Sequence, residues 1–129
     1  MENAATIKSV SDGTRLTFSD FEGKSFSATM ESAFFSGRVV VSTHISGPPS
    51  LLFDEMAREW RGWEQQKEWA ALDDELRLTA TSDHIGHIYL RVIMRDSGSE
   101  DGWQLEATMQ LEAGQLEALA QAVAGVFSK

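Results

Sequence analysis

The chain has 129 residues, a formal net charge of −9, 42% apolar and 24% charged residues, and no cysteine. That length can bury a core without staples, and the composition is globular rather than disordered. The missing cysteines exclude disulfides, a thiol nucleophile and thiolate metal sites, and so acidic a balance disfavours nonspecific binding to nucleic acid phosphates.

Alternation of apolar and polar residues dominates the first part of the chain and predicts strands. Residues 5–10 offer a short edge strand. Leu16 and Phe18 alternate with Arg15, Thr17 and Ser19, and Phe26, Ala28 and Met30 alternate with Ser27, Thr29 and Glu31. Val39-Val40-Val41 to Ile45 is β-branched, and Gly37 and Gly47 punctuate it. The period then changes. After Pro48-Pro49, the residues Leu52, Phe53, Met56, Ala57, Trp60 and Trp63 fall at helical spacing, which predicts a helix over 50–62. Ser50 is its expected cap and Gly62 its expected end.

Residues 64–74 read as an acidic connector. Alternation resumes with Leu76, Leu78 and Ala80, then Ile88, Leu90, Val92 and Met94. Asp96 to Gly102 has turn chemistry and joins this strand to one through Leu105, Ala107, Met109 and Leu111. Leu116, Leu119, Ala120, Val123 and Phe127 predict a last amphipathic helix after Gly114.

Together these elements predict one α+β domain over 1–129, with an antiparallel sheet of six to seven strands. It reads as two βββα halves, 14–62 and 75–127, an internal repeat echoed by Arg15-Leu16-Thr17 and Arg77-Leu78-Thr79. Both helices are expected on one face of the sheet. The reverse face is then polar and open, with Arg15, Thr29, Glu31, Arg77, Thr79, Tyr89, Arg91, Glu106 and Thr108 among its members.

Three strings bear on chemistry. Trp60-Arg61-Gly62-Trp63 and Trp69 suggest either an aromatic platform with Arg58 or Arg61 beside an anion, or a seal of the helix end against the sheet. The seal is the simpler reading, because aromatic residues at helical spacing usually belong to a core. Asp83-His84-Ile85-Gly86-His87 offers Asp83, His84 and His87 as ligands to a divalent ion, with His44 as a fourth donor. Its simpler reading is a hairpin turn, since the two histidines are not spaced along one helix face. No Gly-x-Ser-x-Gly elbow, Walker loop or dinucleotide fingerprint occurs, so no catalytic residue and no cofactor is expected.

Charge is uneven. Residues 1–63 hold six Lys/Arg against eight Asp/Glu, and residues 64–129 hold five against twelve. Such a field favours encounter with a basic protein. The bland alternative is solubility, with Glu106 paired across strands to Arg91 or Arg95.

At Trp60-Arg61-Gly62-Trp63 and Gly86-His87-Ile88, the sequence resembles an uncharacterised family of small bacterial proteins with Trp-x-Gly-Trp and Gly-His motifs. It is also loosely similar, in size, charge and architecture, to immunity proteins that neutralise bacterial toxins. That second resemblance implies no catalytic residue. The function expected is a non-catalytic protein-binding module, an immunity-type inhibitor of a basic toxin domain, with Tyr89, Arg91, Glu106, Glu112 and Arg61 as contact residues. The alternative is a small-molecule or metal-binding protein with a site at Asp83, His84 and His87. A homodimer through the polar face or an edge strand is a further expectation. No apolar run approaches the roughly 20 residues that span a bilayer, and the first residues lack the pattern of a secretory signal. A cytoplasmic location with no membrane or nucleic-acid partner is therefore expected.

Overall fold

In the computed structural model, which describes residues 3–96 and 102–128, four strands open the chain. They are β1 (Ala5–Lys8), β2 (Arg15–Glu22), β3 (Ser25–Glu31) and β4 (Ser36–Ser42). Helix α1 (Ser50–Arg58) follows, and then β5 (Lys67–Ala70), β6 (Leu76–Ser82), β7 (His87–Arg95) and β8 (Gln104–Glu112). A 3-10 turn over Ala113–Gln115 leads into α2 (Leu116–Phe127). No helix among the described residues is long and apolar enough to cross a membrane.

The strands form two antiparallel sheets of four, β1-β2-β3-β4 and β5-β6-β7-β8. This corrects the expected sheet of six to seven strands, and each half reads ββββα rather than βββα. The connector over 64–74 contains β5. Its signal is hidden because the strand is four residues long and turns a lysine, Lys67, toward the interior. Isolated hydrogen bonds, rather than strand ladders, meet the free edges of the two sheets. A Glu75 carboxylate oxygen accepts from the Ser42 N–H at 2.9 Å at the end of β4. Beside β8, the Val10 N–H donates to the Gln110 carbonyl at 2.9 Å, and the Gln110 N–H donates to Ser9 Oγ at 3.0 Å.

Register repeats between the halves. Leu16 lies across from Met30 and Phe18 across from Ala28, while Leu78 lies across from Val92 and Ala80 across from Leu90. A shift of 62 positions carries the first pairs onto the second. Ile7↔Leu16 and Trp69↔Leu78 obey the same shift.

Several boundaries differ from the sequence reading. Helix α1 ends at Arg58, because the Glu59 N–H already bonds back to Glu55 O and Met56 O with non-helical dihedrals at Glu59. Gly62 lies beyond it, in a turn at φ 120°. Pro49 occupies the cap position without a side-chain bond, and Ser50 is the first helical residue and buried. Strand β4 stops at Ser42, short of Ile45, which has a φ of 69°. Residues 97–101 of the expected turn, with the acidic Glu100 and Asp101, lie outside the described residues. At the mouth of that turn, the Asp96 N–H donates to Trp103 O at 3.0 Å.

Period-2 alternation sends one face of each sheet inward. Leu16, Phe18, Phe26, Met30, Leu76, Leu78, Ile88, Leu90 and Met94 join Phe53 and Met56 of α1 and Val123 of α2 in one hydrophobic cluster. The two helices pack on each other, α2 also on β1 and β2, and α1 also on β5. Phe26 meets Phe18 edge-on at 5.6 Å between ring centres and Phe127 at 4.9 Å. Such pairs add roughly 0.5–1.5 kcal/mol each beyond the area they bury.

Candidate functional site

The outward rows of the second sheet form a continuous surface. On β7, Tyr89 and Arg91 are exposed and stand across from Gln110 and Thr108 of β8. Arg91 Nε donates to Glu106 Oε2 at 2.8 Å, the cross-strand ion pair expected from the sequence. The hydrogen bond from Arg91 holds the Glu106 carboxyl below its ordinary value, against a smaller opposing effect of burial, and the same bond raises the Arg91 guanidinium. A shallow depression of about 220 Å³ beside this pair is lined by Arg77, Arg91 and Arg95 around Ile93. Arg77 is held by Glu68 at 3.4 Å and Asp74 at 3.1 Å. The outward row of the first sheet carries Arg15, which faces Glu31 at 3.8 Å, and Arg38, which bonds Asp20 at 3.1 Å. Both reverse faces thus present alternating charges already set in register.

Asp83 builds the loop between β6 and β7. Its Oδ1 accepts from the Ile85 N–H at 2.9 Å and the His87 N–H at 3.1 Å, and its Oδ2 lies 2.7 Å from His87 Nδ1. Burial raises the Asp83 carboxyl, but these hydrogen bonds outweigh it and the group lies below its ordinary value. On the far side of the ring, His87 Nε2 is 3.9 Å from Glu112 Oε2. Glu112 also closes the start of the 3-10 turn in a reciprocal box with Gln115, whose Oε1 accepts from the Glu112 N–H at 2.7 Å.

His84 turns elsewhere. Its Nε2 meets Glu64 Oε2 at 2.8 Å. The structure therefore brings Asp83 and His87 together and sends His84 to a different carboxylate, while His44 lies in the turn after β4 rather than on a strand. Among the described residues, no group of three or more His, Asp or Glu is placed to hold a metal ion.

The tryptophans divide. Trp63 and Trp69 are buried, and Trp63 Nε1 donates to Ala80 O at 3.2 Å. Trp60 is 52% exposed and carries the Arg61 guanidinium 5.1 Å above its ring, so it does not seal the helix end as expected. The reason is the early stop of α1 at Arg58, which takes Trp60 off the helical stripe. Trp60 and Arg61 stand as a cation–π pair in solvent.

Two groups escaped the sequence reading. Lys67 sits between Glu55 and Glu59 at 2.7 and 2.6 Å, with its amine 5.2 Å from the centre of the Trp63 ring. Glu75 is buried, with its oxygens accepting from the Asp73 and Ser42 N–H groups. The alternation of Lys67 with Trp69 is a signal for the first. Nothing local marks the second, whose partner Ser42 is 33 residues away.

A family model described as a family of unknown function, DUF6228, matches residues 5–129. The chain belongs to that family. The match to DUF6228 covers both ββββα halves, including β1 and β5. No curated protein and no solved structure matches the chain significantly.

Proposed function

We propose that this DUF6228 protein is a non-catalytic protein-binding module that docks a basic partner, an immunity-type inhibitor of a basic toxin domain. The observation that carries the reading is the open outer face of the second sheet, where Tyr89, Arg91, Glu106 and Thr108 are exposed with no further layer over them among the described residues. A net charge of −9 speeds encounter with a cationic partner, and ion pairs at the surface set orientation more than raw affinity. Arg91 and Glu106 contribute such a pair, Tyr89 an amphipathic ring of the kind that anchors interfaces, and Glu112 and Arg61 the acidic and cation–π flanks. Capture from a lysate of the source organism at low and high salt, with wild-type protein and with Tyr89→Ala and Glu106→Lys, tests it. A single basic protein held by the wild type and lost by both variants and at high salt supports the reading. Equal capture by all three proteins contradicts it.

A second reading has one observation in its favour. Asp83 fixes the His87 ring through Nδ1 and leaves Nε2 beside Glu112, so one imidazole and one carboxylate flank a point at the sheet edge. A divalent cation or a small polar molecule would fit between them. Equilibrium dialysis with zinc, nickel and manganese on wild type and His87→Ala separates the readings. Metal retained by the wild type and lost by the variant favours the site. No retention removes it.

A further inference from the structure

The free edge of β4 and the free edge of β8 are equivalent positions treated differently. Val40 lies across from Ser27, and Gln110 lies across from Tyr89. The 62-residue shift that relates the halves carries Ser27 onto Tyr89, so Val40 and Gln110 occupy matching places. In β4 the Thr43 N–H bonds inward to Lys24 O at 2.8 Å. The even-numbered residues Arg38, Val40 and Ser42 therefore turn their N–H and C=O groups to the free edge.

At Gln110 that edge is filled from within the chain: the Val10 N–H and Ser9 Oγ take the carbonyl and the amide. At Ser42 the Glu75 carboxylate takes the amide. Among the described residues, no group meets the edge amide and carbonyl of Arg38 or Val40. Val40 is 68% exposed, and the edge runs along an open groove of about 350 Å³ whose lining includes Arg38, Val40, Glu75, Arg95, Asp96 and Trp103. Proteins usually blunt such an edge with lysine, proline or a bulge, and the Val39-Val40-Val41 run has none of these.

We infer that the β4 edge from Arg38 to Val40 accepts an extended segment of a partner protein by strand addition. The incoming segment carries a β-branched or aromatic residue beside Val40 and a carboxylate that reaches Arg95. The backbone supplies the first half of this assignment: unpaired strand groups are matched by another strand's amides and carbonyls, and on the equivalent edge the Val10 amide and the Ser9 hydroxyl already fill those roles. Charge supplies the second. Among the described residues the Arg95 guanidinium donates to the main-chain carbonyls of Asp74 at 3.1 Å and Asp73 at 3.5 Å, so these hydrogen bonds go to neutral acceptors although Glu75 and Asp96 line the same groove. Arg95 lines both this groove and the arginine depression on the outer face, so the strand site is continuous with the proposed docking surface. The inference rests on the protein-binding reading and adds the conformation and chemistry of what is bound.

The probe is a capped heptapeptide, Thr-Val-Glu-Val-Thr-Val-Thr, titrated into the full-length 15N-labelled protein to millimolar concentration. Three analogues accompany it: two N-methylated at alternate amides, one in each register, and one with Lys in place of Glu. The expected result is a shift of the Arg38, Val40 and Ser42 amides and of the Arg95 side chain. Affinity falls about tenfold on methylation of the edge-facing register, because the backbone bonds are lost, and by at least about threefold for the Lys peptide. Val40→Pro removes the edge amide and abolishes binding, and Val40→Thr keeps it. Should Val40→Pro lose its fold, the methylated peptide on the wild type decides the same question. Unmoved β4 resonances, or equal binding of methylated and unmethylated peptides, overturn the inference. If that happens while Glu106→Lys still abolishes partner capture, the strand site falls and the protein-binding reading stands.

Discussion

Lys67 Nζ lies 2.6 Å from Glu59 Oε2 and 2.7 Å from Glu55 Oε2, so one buried amine ties β5 to the last turn of α1 and to the residue that follows it. The Lys67 side chain is almost fully covered while both glutamates keep about half their surface in water. Burial alone would lower the amine, but the two carboxylates more than offset it and its pKa is raised. Charge-assisted hydrogen bonds of this kind are worth about 1.5–3 kcal/mol, and Lys67→Ala is expected to cost about 2 kcal/mol in urea unfolding. Lys67→Met is expected to lose less, because it restores apolar packing on Trp63 and the glutamates can turn to solvent.

The same triad has a pH signature. A lysine whose pKa is raised on folding contributes its full stabilisation below the ordinary lysine value near 10.4. That contribution disappears as the pH rises through the raised value. Melting temperature should therefore fall more steeply between about pH 10 and pH 12 for the wild type than for Lys67→Met. Parallel curves would show that the triad is not coupled to folding.

Asp83 gives the mirror case. Its carboxyl is depressed in the folded state, so its contribution is present above the ordinary value near 3.9 and lost as the pH falls through the lower one. Asp83→Asn keeps an acceptor for the Ile85 and His87 amides but removes the charge beside His87. Acid unfolding of this variant is expected to begin at a higher pH but to fall less steeply than that of the wild type, as followed by circular dichroism.

The two buried tryptophans should respond differently to replacement by phenylalanine. Trp63 Nε1 donates to Ala80 O, which also faces the Lys67 N–H in the β5–β6 ladder, so Trp63→Phe removes one of two bonds to that carbonyl, at a cost of about 0.5–1.5 kcal/mol on top of lost packing. Among the described residues Trp69 Nε1 is buried with no acceptor. Trp69→Phe removes an unsatisfied donor and should cost less than Trp63→Phe. Denaturant midpoints of the two variants check the order.

Gly62 makes a further demand on the backbone. It adopts a φ of 120°, and a Cβ there would meet His84 Nδ1 at 2.5 Å and Ser82 Oγ at 3.0 Å. Gly62→Ala is expected to destabilise by about 1–3 kcal/mol through strain, and to displace His84 from Glu64. Loss of the His84 ring shifts in the nuclear magnetic resonance spectrum would report the second effect.

Much of this architecture is legible in the chain. Strands β2, β3, β6, β7 and β8 follow from period-2 alternation because each has one face in the core and one in water. What alternation cannot carry is which strands share a sheet. At the free edges of the two sheets Glu75 meets Ser42, and Ser9 and Val10 meet Gln110, contacts between residues 33 and about 100 positions apart. Strand β5 escaped because Lys67 fills a core position, which only its two glutamates on α1 make tolerable.

The candidate site is legible in part for the same reason. The Arg91–Glu106 pair follows from adjacent strands in a hairpin, and Asp83 with His87 follows from turn chemistry. His84 could not be assigned from its neighbours, since its partner Glu64 lies before β5. Trp60 misled because helical spacing continues in the sequence after the helix has stopped.

The most direct test of the docking surface is hydrogen exchange on the protein alone and with its captured partner. Protection on complex formation is expected to concentrate in β7 and β8, around Tyr89, Arg91 and Glu106, and Glu106→Lys to abolish it. Protection confined to the outer surfaces of α1 and α2, with the sheet faces exchanging as freely as before, would contradict it.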